Sequence, residues 1–289
     1  MTTTPLSETL ERVSCPLCGE DGSAPWGAEN GFEAVKCAGC GLVYVNPRPR
    51  LAQISEANKI GEHATESGPL DVVFRRSGRK LRRYEKVVRE LFAPELASGA
   101  PLSWLDVGAG FGEVVEVLMR VLPAGSNVRG IEPMEAKVAQ ARARGLPVSA
   151  AVLPDVRERF DVVSIINVFS HLPDFDAFLA ELRGVLKPGG VVLIETGNGG
   201  DLPSAAAYPD VLYLPDHLVF AGVRHMDTFL GRNGFEVVEV RQHRLDTPAW
   251  VARNVAKRLM GRRVRVGLPL RSPFRTVFIK ARLRGTRAP

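Results

Sequence analysis

The stretch Leu105-Asp106-Val107-Gly108-Ala109-Gly110-Phe111-Gly112-Glu113 constrains this chain more than any other feature. An apolar run at 102–107 ends in glycines at alternate positions and passes directly into a helical pattern at 113–122. Glycine lets a ligand approach the backbone closely and lets the chain turn sharply from strand to helix. The segment therefore predicts a strand, a ligand-binding turn and a helix in succession. A dinucleotide fingerprint requires Gly or Ala where Glu113 stands, so NAD binding is disfavoured. Asp106, at the carboxyl end of the strand, suits a cationic ligand better than a pyrophosphate. Glu132 closes the next apolar run, 127–132, as an acid able to accept hydrogen bonds from both hydroxyls of a ribose.

Short apolar runs continue to alternate with helical patterns, as in an α/β domain with a mainly parallel sheet. Helices are expected at 134–144 and 175–186, strands at 147–151, 160–167 and 191–195, and closing strands at 235–241 and 275–283, with a helical insert at 250–260 between them. Upstream, Leu81, Tyr84, Val88, Leu91 and Phe92 recur at helical spacing within 72–96. That helix also carries Arg75, Arg76, Arg79, Lys80, Arg82, Arg83, Lys86 and Arg89, readable as a solvated face or as an anion-binding face beside a cleft.

All four cysteines lie in the first 40 residues, as Cys15-Pro-Leu-Cys18-Gly19 and Cys37-Ala-Gly-Cys40-Gly41. Two Cys-x-x-Cys pairs at this separation are a metal signal. Four sulfurs leave no open position on a tetrahedral zinc, so the site is expected to be structural. A pair of disulfides and an iron site remain open alternatives. The Pro/Arg stretch Asn46-Pro-Arg-Pro-Arg50 cannot continue a strand or helix interior and reads as a linker. The expected organisation is a four-cysteine zinc-binding module at 1–47, a linker and helical cap at 48–100, and an α/β domain at 101–289 with a basic insert near 247–273.

Charge is distributed unevenly. The 43 residues past Asp246 hold twelve cations and no acid, so the net charge of +6 leaves the rest of the chain at −6. A protein that coats nucleic acid uniformly would not be built this way. If the arginines between Arg253 and Arg275 serve the substrate, it bears phosphate. The first 14 residues are polar and carry Glu8 and Glu11, and no apolar run approaches the roughly 20 residues of a spanning helix. No membrane span or export signal is expected, and the expected location is cytoplasmic.

With Asp106, Gly108, Gly110, Gly112 and Glu132 in these contexts, the chain resembles the class I S-adenosylmethionine-dependent methyltransferases over roughly residues 80–283. Supporting matches are the run from Phe160 through Asn167 to His171, and Leu186-Lys187-Pro188-Gly189-Gly190. The resemblance implies a Rossmann-like sheet with helices on both faces. It also implies a glycine loop around the methionine part of the cofactor, Glu132 on the ribose, Pro133 and Met134 against adenine, and Asn167 among the cofactor-binding residues. Where the family often sets an acid against the adenine amino group, Ala150-Ala151-Val152 offers none, and Asp155 is merely near. The amino-terminal module followed by this domain is similar to a zinc-ribbon subgroup that includes sugar C-methyltransferases. Its active-site strip reads Tyr-x-Glu-His-Leu; here Leu214-Pro215-Asp216-His217-Leu218 stands in its place, with Tyr213 one position off register.

Methyl transfer from a sulfonium needs positioning and, for an acceptor that loses a proton, a base. Histidine suits that task. His217 is the first candidate and His171 the second, while His63, His225 and His243 have no motif support and are expected to be structural or exposed. The expected function is methyl transfer to a small molecule such as a sugar, nucleotide-sugar or natural-product intermediate. The alternatives are RNA modification and a catalytically silent binding protein. Against the RNA reading, no aromatic-plus-basic stacking surface is visible.

Overall fold

The computed structural model describes residues 9–285 except 67, 73–75, 77, 262–263, 265 and 269. Arg75, Arg262, Arg263, Arg265 and Arg287 therefore lie outside the described residues. Near the amino terminus three strands, β1 (Ser23–Glu29), β2 (Phe32–Cys37) and β3 (Val43–Val45), form an antiparallel ribbon. The two-residue connection Asn30-Gly31, both at positive φ, is the tight hairpin turn that matches strand twist. The expected linker is ordered. Arg48–Pro49 pairs with Leu10–Glu11, helix α1 spans Leu51–Ile60, and a hairpin joins Glu62–Thr65 to Gly68–Asp71. Only Ile54 and Ala57 of α1 are buried, too few to announce a helix by periodicity.

The single helix expected over 72–96 is two: α2 (Gly78–Leu91) and a short helix at Ala93–Ala97. Pro94 sits in the first turn of the second, where its missing N–H costs nothing, whereas inside one continuous helix it would break the ladder. Beyond it lie β4 (Ser103–Val107), α3 (Glu113–Val121), β5 (Asn127–Glu132), α4 (Glu135–Arg142), β6 (Val148–Ala150), β7 (Phe160–Ile166), α5 (Phe175–Gly184) and β8 (Leu186–Gly197). Then come β9 (Val219–Phe220), α6 (Val223–Arg232), β10 (Phe235–Arg244), α7 (Pro248–Leu259) and β11 (Arg275–Leu283).

Seven strands make one sheet in the order β6-β5-β4-β7-β8-β11-β10. The first five are parallel, and β11 runs antiparallel to both β8 and β10. Leu105, Val163, Ile165, Val192 and Ile194 are completely or almost completely buried, which is why these strands read as continuous apolar runs. The strand order reverses between β4 and β7, so a ligand crevice is expected outside the carboxyl ends of these strands.

The ribbon does not stand alone. Its sheet takes a fourth strand, β9, beside β3. Trp26, Phe32, Val43 and Val45 share a hydrophobic cluster with Leu202, Ala205, Leu212, Leu214, Phe220 and Phe274. Among the described residues no helix is long and apolar enough to cross a membrane.

Candidate active site

A cavity of about 380 Å³ opens at the carboxyl ends of β4, β5 and β7, within the size range of small-molecule pockets. The predicted glycine turn forms one wall. Gly112, at φ +80°, starts α3, and a Cβ there would lie 2.7 Å from Leu146 Cδ1, so this glycine serves helix-to-sheet packing. Gly110, at φ +55°, would bring a Cβ only to Glu113 Oε2, at 4.0 Å, leaving its backbone accessible to a ligand. The Gly110 amide donates to Glu132 Oε2 at 2.8 Å, and the Met134 amide donates to Oε1 at 3.2 Å. Each oxygen keeps a lone pair for a further donor. Glu132 is thus pre-aimed beside the glycine turn.

Asp106 is buried at the end of β4 and accepts a bond from the Ser164 hydroxyl, which in turn accepts one from Trp104 Nε1 at 3.0 Å. Burial pushes the Asp106 carboxyl up to about 7, with Glu113 and Glu132 adding to the effect and Ser164 opposing it. A bound cation would relieve this crowding of acids. Glu113 is itself buried with Oε1 unpartnered among the described residues. Pro133, Met134 and Asn167, the last at φ +58°, line the cavity. The exit of β6 contributes Ala151, Val152, Leu153 and Pro154, and Asp155 turns its carboxylate back onto the Val152 amide at 3.0 Å.

The same cavity is also lined by His171, Asp216 and His217, which form its acceptor wall. His171 Nδ1 lies 2.9 Å from the Asp216 carbonyl and 3.2 Å from its Oδ1, so it is the protonated nitrogen, and Nε2 is left to accept a proton. Burial disfavours charge on His171, but the Asp216 carboxylate overrides it and holds the imidazole above its ordinary value. Asp216 in turn is kept well below the usual carboxylate range by His171 and His63, against the effect of its own burial. The His217 ring stands 5.0 Å from that of His171. Burial, followed by the neighbouring His171 charge, lowers His217 to about 4, and its buried Nδ1 has no partner among the described residues. The ring of Tyr213, held at φ +60°, is 5.8 Å from that of His217, so the off-register tyrosine still reaches the histidine.

His63, expected to be structural or exposed, sits next to the site instead. It is buried, and its Nε2 meets Asp216 Oδ1 at 3.1 Å, so one carboxylate bridges two histidines 153 and 45 positions away. No local pattern around residue 63 carries that information. His225, also without a motif, accepts the Gly222 amide on Nδ1 at 2.8 Å and donates from Nε2 to the Cys40 carbonyl at 3.0 Å. His243 packs 5.6 Å from Phe278, away from the cavity.

The four cysteine sulfurs converge. Cys15 and Cys40 Sγ are 3.5 Å apart, as are Cys18 and Cys37 Sγ, and all four lie within 4.8 Å of one another. Disulfide bonds would need about 2.05 Å, whereas the edge of a tetrahedral zinc–sulfur site is roughly 3.8 Å. Gly19 and Gly41, both at positive φ, donate their amides to the Cys15 and Cys37 carbonyls and close the two knuckles. Although burial opposes it, the Cys40 and Gly39 amides and the neighbouring thiols lower Cys37 to about 7. The donor set fits a tetrahedral thiolate-binding metal.

Some cations of the basic helical segment pair with acids: Arg76 with Glu116 at 2.7 Å, Arg83 with Glu195 at 2.7 Å and Arg89 with Glu85 at 2.9 Å. Lys80 of α2 and Lys137 of α4 line the cavity; no described residue of the basic insert does.

Residues 75–240 match a protein family described as a methyltransferase domain. A ubiquinone biosynthesis O-methyltransferase of Bradyrhizobium sp. (strain ORS 278) is 27% identical over 184 residues, 61% of this chain and 65% of its own. Its namesake from Rhodopseudomonas palustris (strain HaA2) is 32% identical over 138 residues, 45% of this chain and 51% of its own. The chain thus spans about half to two thirds of the curated relatives it matches. Among solved structures, that of the [4+2]-cyclase SpnF superposes with a TM-score of 0.50 at 18% identity, covering 70% of this chain and 82% of SpnF. That likeness concerns the fold and not the reaction.

Proposed function

Because this chain belongs to the methyltransferase domain family, we propose that it transfers a methyl group from S-adenosylmethionine to a hydroxyl of a small molecule, with His171 as general base. The observation that carries the reading is one cavity lined by two unlike groups: the glycine turn with Asp106 and Glu132, and the cluster His171, Asp216 and His217. When bound, S-adenosylmethionine supplies a methyl group on a positively charged sulfur, so the leaving group is already activated. Asp106 meets the donor's cationic end, Glu132 accepts its ribose hydroxyls, and the Gly110 backbone allows close approach. Pro133, Met134 and Leu153 enclose the adenine.

On the acceptor wall, Asp216 locks His171 in the tautomer with Nε2 free. Nε2 takes the acceptor's proton as the methyl arrives, and the resulting imidazolium is stabilised by the same carboxylate. His217, neutral beside it, orients the acceptor. A phosphate on the acceptor would find its cations in Lys80 and Lys137. A second reading, C-methylation of a nucleotide-linked sugar, is favoured by the proximity of Tyr213 to His217. Zinc in the four-cysteine site holds the ribbon together, in a cytoplasmic setting where thiols stay reduced.

The test is calorimetry with S-adenosylhomocysteine, followed by mass spectrometry of small-molecule extracts incubated with isotopically labelled S-adenosylmethionine. Binding and a labelled, base-stable ether product are the expected results. No binding by the wild-type protein rejects the reading, and a label on carbon selects C-methylation.

A further inference from the structure

The segment that carries Asp216 and His217 owes its shape to the cysteine ribbon rather than to the sheet. At the tip of the β1–β2 hairpin, the Glu29 carboxylate accepts the Leu212 amide at 2.7 Å and the Tyr213 amide at 2.8 Å. The next residue, Asn30, donates from Nδ2 to the Leu214 carbonyl at 2.7 Å. These three bonds hold the chain where Tyr213 adopts φ +60°, a conformation that a bulky residue avoids unless its surroundings impose it. On the other side of the histidine, the Val45 amide of β3 donates to the Leu218 carbonyl at 2.9 Å, and β9 pairs with β3. Leu218 also donates its amide to the Ser170 carbonyl at 2.6 Å, tying the loop to the turn that bears His171. The loop is therefore gripped by the ribbon before and after Asp216-His217. A charge-assisted acceptor on two backbone amides is a strong local constraint.

We infer that the four-cysteine ribbon is part of the catalytic apparatus, and that Glu29 is a positioning residue setting the placement of Asp216 and His217, and through Asp216 that of His171. The inference rests on the proposed methyltransferase reading for its meaning, but its geometry can be tested without an acceptor. A base displaced by about 1 Å can cost roughly 100-fold in rate, so control of this loop is control of turnover.

The test uses the full chain with isotopically labelled histidine, as wild type, Glu29→Gln and Asn30→Gly, each with S-adenosylhomocysteine as probe. Glu29→Gln replaces one of the two acceptor oxygens with a donor that opposes an amide N–H. Asn30→Gly removes the side-chain tether and introduces the residue that adopts this positive φ most readily, so the hairpin survives. In both variants the Leu212 and Tyr213 amides should exchange at least about tenfold faster. The ring resonances of His217 and His171 should shift and broaden, while S-adenosylhomocysteine affinity stays within about twofold of wild type. If the amides loosen while both ring signatures stay at their wild-type positions in both variants, the ribbon merely anchors the loop and the inference is wrong. Should Glu29→Gln fail to fold, Asn30→Gly decides alone. Failure of the wild type to bind S-adenosylhomocysteine would reject the methyltransferase reading, whatever the ring resonances do.

Discussion

The two walls of the cavity are built by different means. The donor wall comes mostly from residues 106–134, joined by Leu153 at the exit of β6, where two strand ends and one glycine turn present backbone amides and two acids. Its central contact, Gly110 to Glu132, spans 22 positions. The acceptor wall gathers His171 from a turn after β7 and Asp216 and His217 from a loop held by the ribbon, and His63 of a hairpin bonds Asp216 without lining the cavity. A wall of local backbone geometry resists change, whereas one assembled from distant loops depends on every element that holds them. Perturbations should therefore separate the two cleanly.

The largest effect is expected on the acceptor wall. His171→Ala should lower turnover by roughly 10²- to 10⁴-fold, the usual contribution of a positioned base, with S-adenosylhomocysteine affinity unchanged. His217→Asn should cost less. Because the Asp216 carboxylate raises His171 above its ordinary value, turnover should climb as pH rises through that value and frees Nε2. A profile flat from pH 6 to 9 would return the role to His217, whose pKa near 4 leaves it neutral throughout.

On the donor wall the matching perturbation is Glu132→Ala. Two charge-assisted hydrogen bonds of roughly 1.5–3 kcal/mol each are at stake, so S-adenosylhomocysteine should bind at least about tenfold more weakly. Undiminished affinity by calorimetry would take the ribose away from this acid.

Metal removal should sharpen the contrast further. Cys37→Ser, or chelation of the metal, should speed amide exchange in residues 15–45 and carry the loosening into residues 212–220, which share the ribbon's sheet and hydrophobic cluster. Residues 103–132 should be unaffected. Equal loosening of both regions would refute the division of labour between the walls, and elemental analysis finding no metal would end the zinc assignment.

The smallest effect concerns Asp106. Its folded pKa of about 7 lies above the ordinary 3.8. The native state therefore loses stability as pH rises from the lower value to the higher, because it must ionise a buried acid. Asp106→Asn should melt higher than wild type at pH 8, and the gain should shrink toward pH 4. The same ionised carboxylate is what a cationic donor requires, so wild-type affinity for S-adenosylhomocysteine should strengthen by several-fold from pH 6 to 8 and the variant's should not. A pH-independent wild-type affinity would remove Asp106 from the donor's cationic end.

Much of the sheet was legible because its strands are buried on both faces and therefore apolar without interruption, as at 160–166 and 191–195. The break at Pro94 was legible in principle, since proline cannot continue a helix, yet periodicity alone ran through it. The strand Val219–Phe220 was not legible: two residues have no period, and their partner is the ribbon nearly 180 positions earlier. The bond of His63 to Asp216 and the part played by Glu29 were invisible for the same reason. Each residue acts on a group brought near by the fold, and neither has neighbours in sequence that mark it.

What the sequence determined by itself was everything in which the responsible atoms lie within a few residues of one another. The glycine turn, the acids that close β4 and β5, and the two cysteine knuckles follow from backbone rules, because strand, turn and tight-loop geometry are set by adjacent dihedral angles. Only the tertiary structure decided which histidine is backed by Asp216, which carboxylate shapes the loop that carries it, and that the ribbon shares its sheet with the acceptor wall. Those outcomes depend on distances across the chain of 3 Å or so, which are set by how separate hydrophobic faces pack. No spacing along the chain encodes them.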